Sequence, residues 1–304
     1  SMVEEFYSND KINILLLSYT NRAVDEICEA LETIENKPEF IRIGTELSCD
    51  PRYRKRLLNQ LISDCENRNA VKKVIERHRI IVGTVSSLSN KTELFKLKQF
   101  QVAIIDEASQ ILEPSLLGLL SAKTKDGKNA LAKFILIGDH KQLPAVVLQN
   151  EEDSKISNPE LNAIGITNRR NSLFERLFDI HKEHRHAMTW SMLQKQGRMH
   201  PTVALFPNEA FYNGQLHPVP VSHQQEDLPY ICYDNTHALQ KLVATERLSF
   251  ISTKRYVLDK NNKSNTNEAK IVAALVYQIY TIYQTNKIDF VAEKSLGIIT
   301  PYRS

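Results

Sequence analysis

One ten-residue stretch, Gln101-Val102-Ala103-Ile104-Ile105-Asp106-Glu107-Ala108-Ser109-Gln110, restricts this chain more than any other. Its apolar part is short, β-branched and free of polar interruption, the pattern of a strand buried on both faces of a parallel sheet. It ends in two carboxylates. The carboxyl edge of such a sheet is where α/β proteins hold their ligands, and adjacent acids there can divide labour. Asp106 would hold Mg²⁺, directly or through its waters, and Glu107 would orient or deprotonate an attacking water. An isolated Asp-Glu pair is more often a plain acidic strand end, so the surrounding residues decide.

Asp106-Glu107-Ala108-Ser109-Gln110 resembles the Walker B motif of superfamily 1 helicases, in the branch that contains the nonsense-mediated-decay helicase and senataxin. Farther on, Phe134-Ile135-Leu136-Ile137-Gly138-Asp139-His140-Lys141-Gln142-Leu143-Pro144 is similar to the same family's Gly-Asp-x-x-Gln-Leu-Pro motif. The most specific match is Leu193-Gln194-Lys195-Gln196-Gly197-Arg198-Met199-His200-Pro201 followed by Phe206 to Leu216, which resembles Gln-x-Arg-Met-His-Pro…Phe-Tyr-x-Gly-x-Leu. Three shorter segments resemble motifs on the family's nucleic-acid side: Ser18 to Asp25, Ile80 to Thr84, and Leu296 to Arg303. Thr20 or Asn21 ahead of a helix is also a plain N-cap.

Composition sets bounds without choosing a function. A chain of 304 residues predicts two domains, each with room for a core. Hydrophobic and charged fractions of 42% and 25% are ordinary, and a net charge of +3 is too small to argue for nucleic acid. Basic clusters at Arg52-Tyr53-Arg54-Lys55-Arg56, Arg77-His78-Arg79, Arg169-Arg170 and His181 to His186 are more often solvated surface than binding site. Cys28, Cys49, Cys65 and Cys232 lie far apart, which points away from zinc or a disulfide framework and toward a reducing intracellular compartment, cytoplasmic, nuclear or nucleoid. No apolar stretch reaches membrane-spanning length and no signal peptide is visible. The opening Ser1-Met2 resembles a tag-removal scar, so a piece of a longer protein is expected.

Taken in order, Lys11 to Ser18 reads as a buried strand, followed by a helix with Val24, Ile27, Leu31 and Ile34 on one face. Residues 44–79 read as a polar, basic, helical insertion with Leu57, Leu58, Leu61 and Ile62 as its apolar stripe. Ile80 to Thr84 is a strand. A helix carrying Leu112, Leu116, Leu117 and Leu120 separates the two acidic-strand motifs, with Pro114 near its start. Residues 149–171 lack periodicity and read as a loop. Ser172 to Phe178 reads as the helix closing the first domain, with His181 to Ala187 as the connection. Residues 217–229 read as an extended loop, Tyr230 to Tyr233 and Leu248 to Ile251 as strands, and Asn261 to Asn267 as a turn. A helix from Glu268 carries Ile271, Leu275 and Ile279, and Leu296 to Arg303 is a last strand.

The resemblance implies an α/β fold of two RecA-like domains of the P-loop NTPase type, each with a parallel sheet flanked by helices. The expected bounds are 1–186 and 187–304. It implies ATP with Mg²⁺ between the domains and single-stranded DNA or RNA as partner. Asp106 and Glu107 serve metal and water, Gln142 bonds the γ-phosphate or the water, and Arg198 is an arginine finger. Thr20, Asn21, Arg22 and Thr84, with Thr300, Pro301 and Tyr302, line the nucleic-acid path. The duller readings are a turn cap for Gln142 and a salt-bridge partner for Arg198. Gly-x-x-x-x-Gly-Lys-Ser/Thr, the loop that holds the β- and γ-phosphates, is absent from the 304 residues. The family places it before Lys11 and a last arginine motif after Ser304, so both domains are expected to be incomplete and the fragment inactive alone. A non-catalytic scaffold with a degenerate helicase fold is the alternative. Where the family commonly has tyrosine before the finger arginine, this chain has Gly197, leaving Tyr19 and Tyr212 as other aromatics for a nucleotide base.

Overall fold

A computed structural model describes residues 2–35, 37–183, 189–232, 237–252 and 265–300. The chain divides into two compact units, Ser1–Ser191 and Met192–Ser304.

The first unit is organised on a five-stranded sheet whose pairings are all parallel. Its strands are β1 (Ile14–Ser18), β2 (Phe40–Ile43), β3 (Ile80–Thr84), β4 (Val102–Ile105) and β5 (Phe134–Leu136), in the order β2-β3-β1-β4-β5. Side chains alternate across a strand, so each strand feeds two cores. Leu15, Leu17, Ile41, Ile43, Ile81, Ala103 and Ile105 pack on one face with Val85, Leu88, Phe95, Leu116 and Leu119. Ile14, Leu16, Phe40, Ile80, Val82, Val102 and Ile104 pack on the other with Val24, Cys28, Leu31, Tyr53 and Leu57. Every residue of β1, β2, β3 and β4 is buried, which explains the continuous apolar runs.

Strand β2 has no counterpart among the sequence expectations. Arg42 interrupts its apolar pattern and yet is fully buried. The charge is met by Asp25, whose Oδ1 accepts from Arg42 Nε at 2.9 Å, and by the Ser48 carbonyl, which accepts from Nη2 at 3.1 Å. Asp25 Oδ2 also accepts from the Asp50 amide at 3.1 Å, so one carboxylate ties the helix Asn21–Glu32 to β2 and the loop beyond it.

Residues 44–79 form the 3₁₀ turns Glu46–Ser48 and Pro51–Arg56, the short helix Leu58–Leu61 and the helix Arg68–Arg77. Three leucines of the expected stripe pack on the sheet cores: Leu57 is buried in one, and Leu58 and Leu61 lie against the other. Residues 149–171 are not the structureless loop expected. They contain the helices Glu151–Ser154 and Pro159–Ala163, each started by an asparagine side-chain cap, at Asn150 and Asn158. Helices of four and five residues are too short to show periodicity. The closing helix runs Leu173–Glu183, so His181 belongs to the helix and not to the connection; residues 184–187 of that connection lie outside the described residues. Arg176 in this helix pairs with the buried Glu113 through both guanidinium branches, Nε donating to Oε2 at 2.8 Å.

In the second unit the described residues hold one parallel pairing, Lys195–Gln196 with His217–Pro218, beside the helices Pro201–Tyr212, Ala238–Thr245 and Thr266–Thr285. The strands expected at Tyr230 to Tyr233, Leu248 to Ile251 and Leu296 to Arg303 are absent from the described residues of those segments; Tyr233 and residues 301–303 lie outside them. A strand exists through its ladder. At Ile231 the partner is instead the Asn286 side chain, which accepts from the Ile231 amide at 2.8 Å and donates to its carbonyl at 3.0 Å. Phe250 and Ile299 are 94% and 97% exposed, with no sheet face to lie against among the described residues. Residues 261–264 of the expected turn are likewise outside the described residues, and the helix after it starts at Thr266 under an Asn265 cap.

Candidate functional site

The carboxyl edge of the first unit's sheet carries the acids. The ladder continues one residue past β4, with the Asp106 amide donating to the Leu17 carbonyl at 2.8 Å. This sets Asp106 at the sheet rim, half-buried. The chain then turns sharply: Glu107 has φ +52° and ψ +35°, a left-handed conformation. For a residue with a Cβ this costs roughly 1–2 kcal/mol, and it swings Glu107 out of the strand direction. The turn is held on both sides. Ala108 donates to the Ile137 carbonyl at 2.8 Å, and Gln110 Nε2 donates to Glu107 Oε2 at 3.2 Å.

The Gly138–Gln142 segment docks against this turn. A Cβ added at Gly138 would meet the Ser109 amide nitrogen at 2.8 Å, so only glycine permits the approach. Ser109, 8% exposed, accepts from the Asp139 amide through Oγ at 3.1 Å. Asp139 Oδ1 accepts from the Lys141 amide at 2.9 Å, an Asx-turn, and Oδ2 accepts from Gln142 Nε2 at 3.0 Å. Gln142 is solvent-exposed, but its amide is therefore tethered. His140 packs on Phe178 at a tilt, with ring centroids 4.6 Å apart, and Phe178 meets Trp190 edge-on at 5.2 Å.

The neighbouring strands place the expected nucleic-acid residues on the same edge. Thr20 follows β1, and its Oγ1 accepts from the Ala23 amide at 3.1 Å, so it is the N-cap. Asn21 opens the helix and Arg22 pairs with Glu26 at 3.3 Å, both side chains largely exposed. Thr84 ends β3 opposite Ser18; it is buried, with Oγ1 accepting from the Ser87 amide at 3.1 Å. Thr20 and Thr84 thus have local capping duties whatever else they do.

The second unit holds the remaining residues. Arg198 is exposed, on the turn after the Lys195–Gln196 strand. Its guanidinium takes no hydrogen bond or ion pair among the described residues. A Cβ added at Gly197 meets nothing closer than Val219 Cβ at 4.0 Å, so a side chain fits there. Tyr19 is exposed and Tyr212 half-buried. Thr300 is exposed; Pro301 and Tyr302 lie outside the described residues.

Among the described residues no cluster of three His, Cys, Asp or Glu could cage a metal ion. A single half-buried carboxylate such as Asp106 suits Mg²⁺, which is usually held by one or two carboxylates together with phosphates and water. Ser109, Gln110 and Asp139 were not singled out by sequence. The Gly-Asp pair at a strand end was the available signal for Asp139, since Asp accepts from its own backbone two residues on.

Two family models, each described as an AAA domain, match residues 52–150 and 169–304. The chain is 30% identical to the DNA replication ATP-dependent helicase/nuclease JHS1 of Arabidopsis thaliana, over 96% of this chain and 20% of that protein. It is 28% identical to the DNA replication ATP-dependent helicase/nuclease DNA2 of Bos taurus, over 96% of this chain and 26% of the relative. A 3'-5' exoribonuclease HELZ2 of Mus musculus is 29% identical over 77% of this chain and 7% of its own length. The chain thus spans about a quarter or less of each of these relatives. No helix among the described residues is long and apolar enough to cross a membrane. With its acids on the rim of a parallel sheet, and with these matches over most of its length, the chain belongs to the superfamily 1 helicases.

Proposed function

We propose that this chain is the core of an ATP-dependent helicase or translocase that acts on single-stranded nucleic acid. The observation that carries the reading is the tether through Ser109 and Asp139, which links the acid-bearing turn to Gln142. Bound ATP with Mg²⁺ supplies the phosphoryl group and neutralises its developing charge. Phosphoryl transfer needs little from the protein beyond positioning and charge. Asp106 holds the metal, and Glu107, fixed by Gln110, orients the water and takes its proton. Gln142 bonds the γ-phosphate or the water, and Arg198 stabilises transition-state charge.

Thr20, Asn21, Arg22 and Thr84, with Thr300, Pro301 and Tyr302, contact the strand, mostly through phosphates and stacked bases and hence without strong sequence preference. The DNA-replication names of two relatives favour DNA. The β/γ-phosphate loop is expected ahead of Lys11, and assays of turnover use a longer polypeptide that includes it; residues 1–304 alone are expected to be inactive.

The test is Glu107→Gln in that polypeptide. Turnover should fall by about 10²–10⁴-fold, the usual contribution of a general base, with nucleotide binding retained. Loss of binding, or undiminished turnover, would refute the assigned role.

A further inference from the structure

Arg198 stands on a turn with little regular structure, yet the backbone around it is held by side chains from farther along the chain. Gln224, in the 3₁₀ turn Ser222–Gln224, donates through Nε2 to the Gln196 carbonyl at 2.9 Å and to the Met199 carbonyl at 2.8 Å. His223 Nε2 lies 2.8 Å from the Gly197 carbonyl, to which a protonated ring nitrogen donates. Gln196 closes the same turn from within, its Oε1 accepting from the Met199 amide and its Nε2 donating to the Met199 carbonyl, both at 2.8 Å. The carbonyls of Gln196, Gly197 and Met199, on both sides of Arg198, are therefore all engaged.

The orientation of Gln224 follows from chemistry, because two carbonyl oxygens can be met only by the amide NH₂. The residue is 3% exposed and both its donors are used, while its buried Oε1 has no hydrogen-bond partner among the described residues. Burying an acceptor in that state is unfavourable, so the two donor bonds, not the burial, are what the position supplies. The grip is on the backbone alone and leaves the guanidinium available to another group.

We propose that Gln224 and His223 are positioning residues for Arg198: they fix the Gln196–Met199 turn so that the guanidinium is presented in one direction. The inference rests on the reading of Arg198 as an arginine finger. A finger acts on charge that develops in the transition state, where preorganised groups contribute most. Loosening its turn should then lower kcat and leave KM nearly alone.

The experiment uses the longer ATP-hydrolysing polypeptide. Gln224→Glu keeps the side chain's shape and removes both donors. It should lower kcat by about tenfold to a hundredfold, the scale of a misplacement of about 1 Å, with KM for ATP within about twofold of wild type. The double variant Arg198→Ala/Gln224→Glu should be no slower than Arg198→Ala, because both changes remove one contribution. His223→Gln, which keeps an N–H donor, should recover activity lost in His223→Ala. A slow Arg198→Ala beside a wild-type Gln224→Glu, or additive losses in the double variant, overturns the inference alone. An Arg198→Ala enzyme with wild-type kcat overturns the finger reading and the inference with it. A second measurement needs no variant. In residues 1–304 the Gln224 side-chain NH₂ protons should exchange slowly with solvent, and exchange as fast as that of an exposed amide would overturn the clamp.

Discussion

The two units hold their proposed site residues by different physics. In the first, Asp106 and Glu107 stand at the end of a strand that is itself buried on both faces, and the turn beyond is locked onto Ile137, just past β5. In the second, Arg198 stands on a turn secured by side-chain amides and an imidazole. Burial gives the first site a rigidity shared by a whole sheet. Hydrogen bonds give the second a rigidity confined to a few residues. A substitution far from the acids should therefore reach them through the first unit's core, whereas the Arg198 turn should be most sensitive at its clamps.

The largest effect that separates the two is expected at Asp25. Removing it strands the Arg42 charge in the sheet, and breaking a buried pair from one side costs about 3–5 kcal/mol. Asp25→Ala should lower the stability of residues 1–304 by that amount in denaturant melts. A loss below about 1 kcal/mol would mean that water replaces the carboxylate and that the core is looser than described.

Next comes Lys98, buried beneath the sheet's flanking helices, with Nζ donating to the carbonyls of Ile75 and Glu76 at 3.0 and 2.9 Å. Burial pulls its pKa down from 10.5 to about 8. The unfolded chain then binds more protons between these values, so stability should rise with pH from about 8 to 10.5 and be flat in this respect below 8. Lys98→Met should abolish that rise, which pH-dependent melts would read. An unchanged slope in the variant would assign the rise to another group.

A smaller effect tests the second unit. A Cβ at Gly197 is unobstructed, and in Gly197→Tyr a base–aromatic stack would contribute about 1–3 kcal/mol. The longer polypeptide should bind ATP more tightly without a rise in kcat, since stacking is equal in ground and transition states. The unsubstituted enzyme should hydrolyse ATP and GTP with kcat/KM values within about tenfold. A strong native preference for ATP, with KM unmoved by the substitution, would place Gly197 away from the base.

Legibility in the sequence follows the same division. Strands β1, β3 and β4 were readable because burial on both faces writes an apolar run directly into the residues, and the partly exposed β5 was readable from the motif that follows it. Strand β2 was not, because Arg42 sits in its middle and its partner, Asp25, lies on a different element. In the second unit the apolar residues at 230–232 and 248–251 looked like strands, but composition does not specify a ladder, and at Ile231 an asparagine side chain takes that place. The acids, Gln142 and Arg198 were visible as members of short motifs. Ser109 and Gln110 were inside one of those motifs and were passed over; Ser109 acts on Asp139 thirty residues away, and Gln224 on Gln196 twenty-eight away. No local pattern carries contacts of that kind.

The proposed role of Arg198 as an arginine finger is the part of the proposed function most open to direct test. Single-turnover hydrolysis by Arg198→Ala in the longer polypeptide, with single-stranded DNA present, tests it most directly. An arginine finger is worth roughly 10³–10⁵ in rate, so the account predicts a loss on that scale with ATP binding preserved. Hydrolysis at the wild-type rate would contradict it.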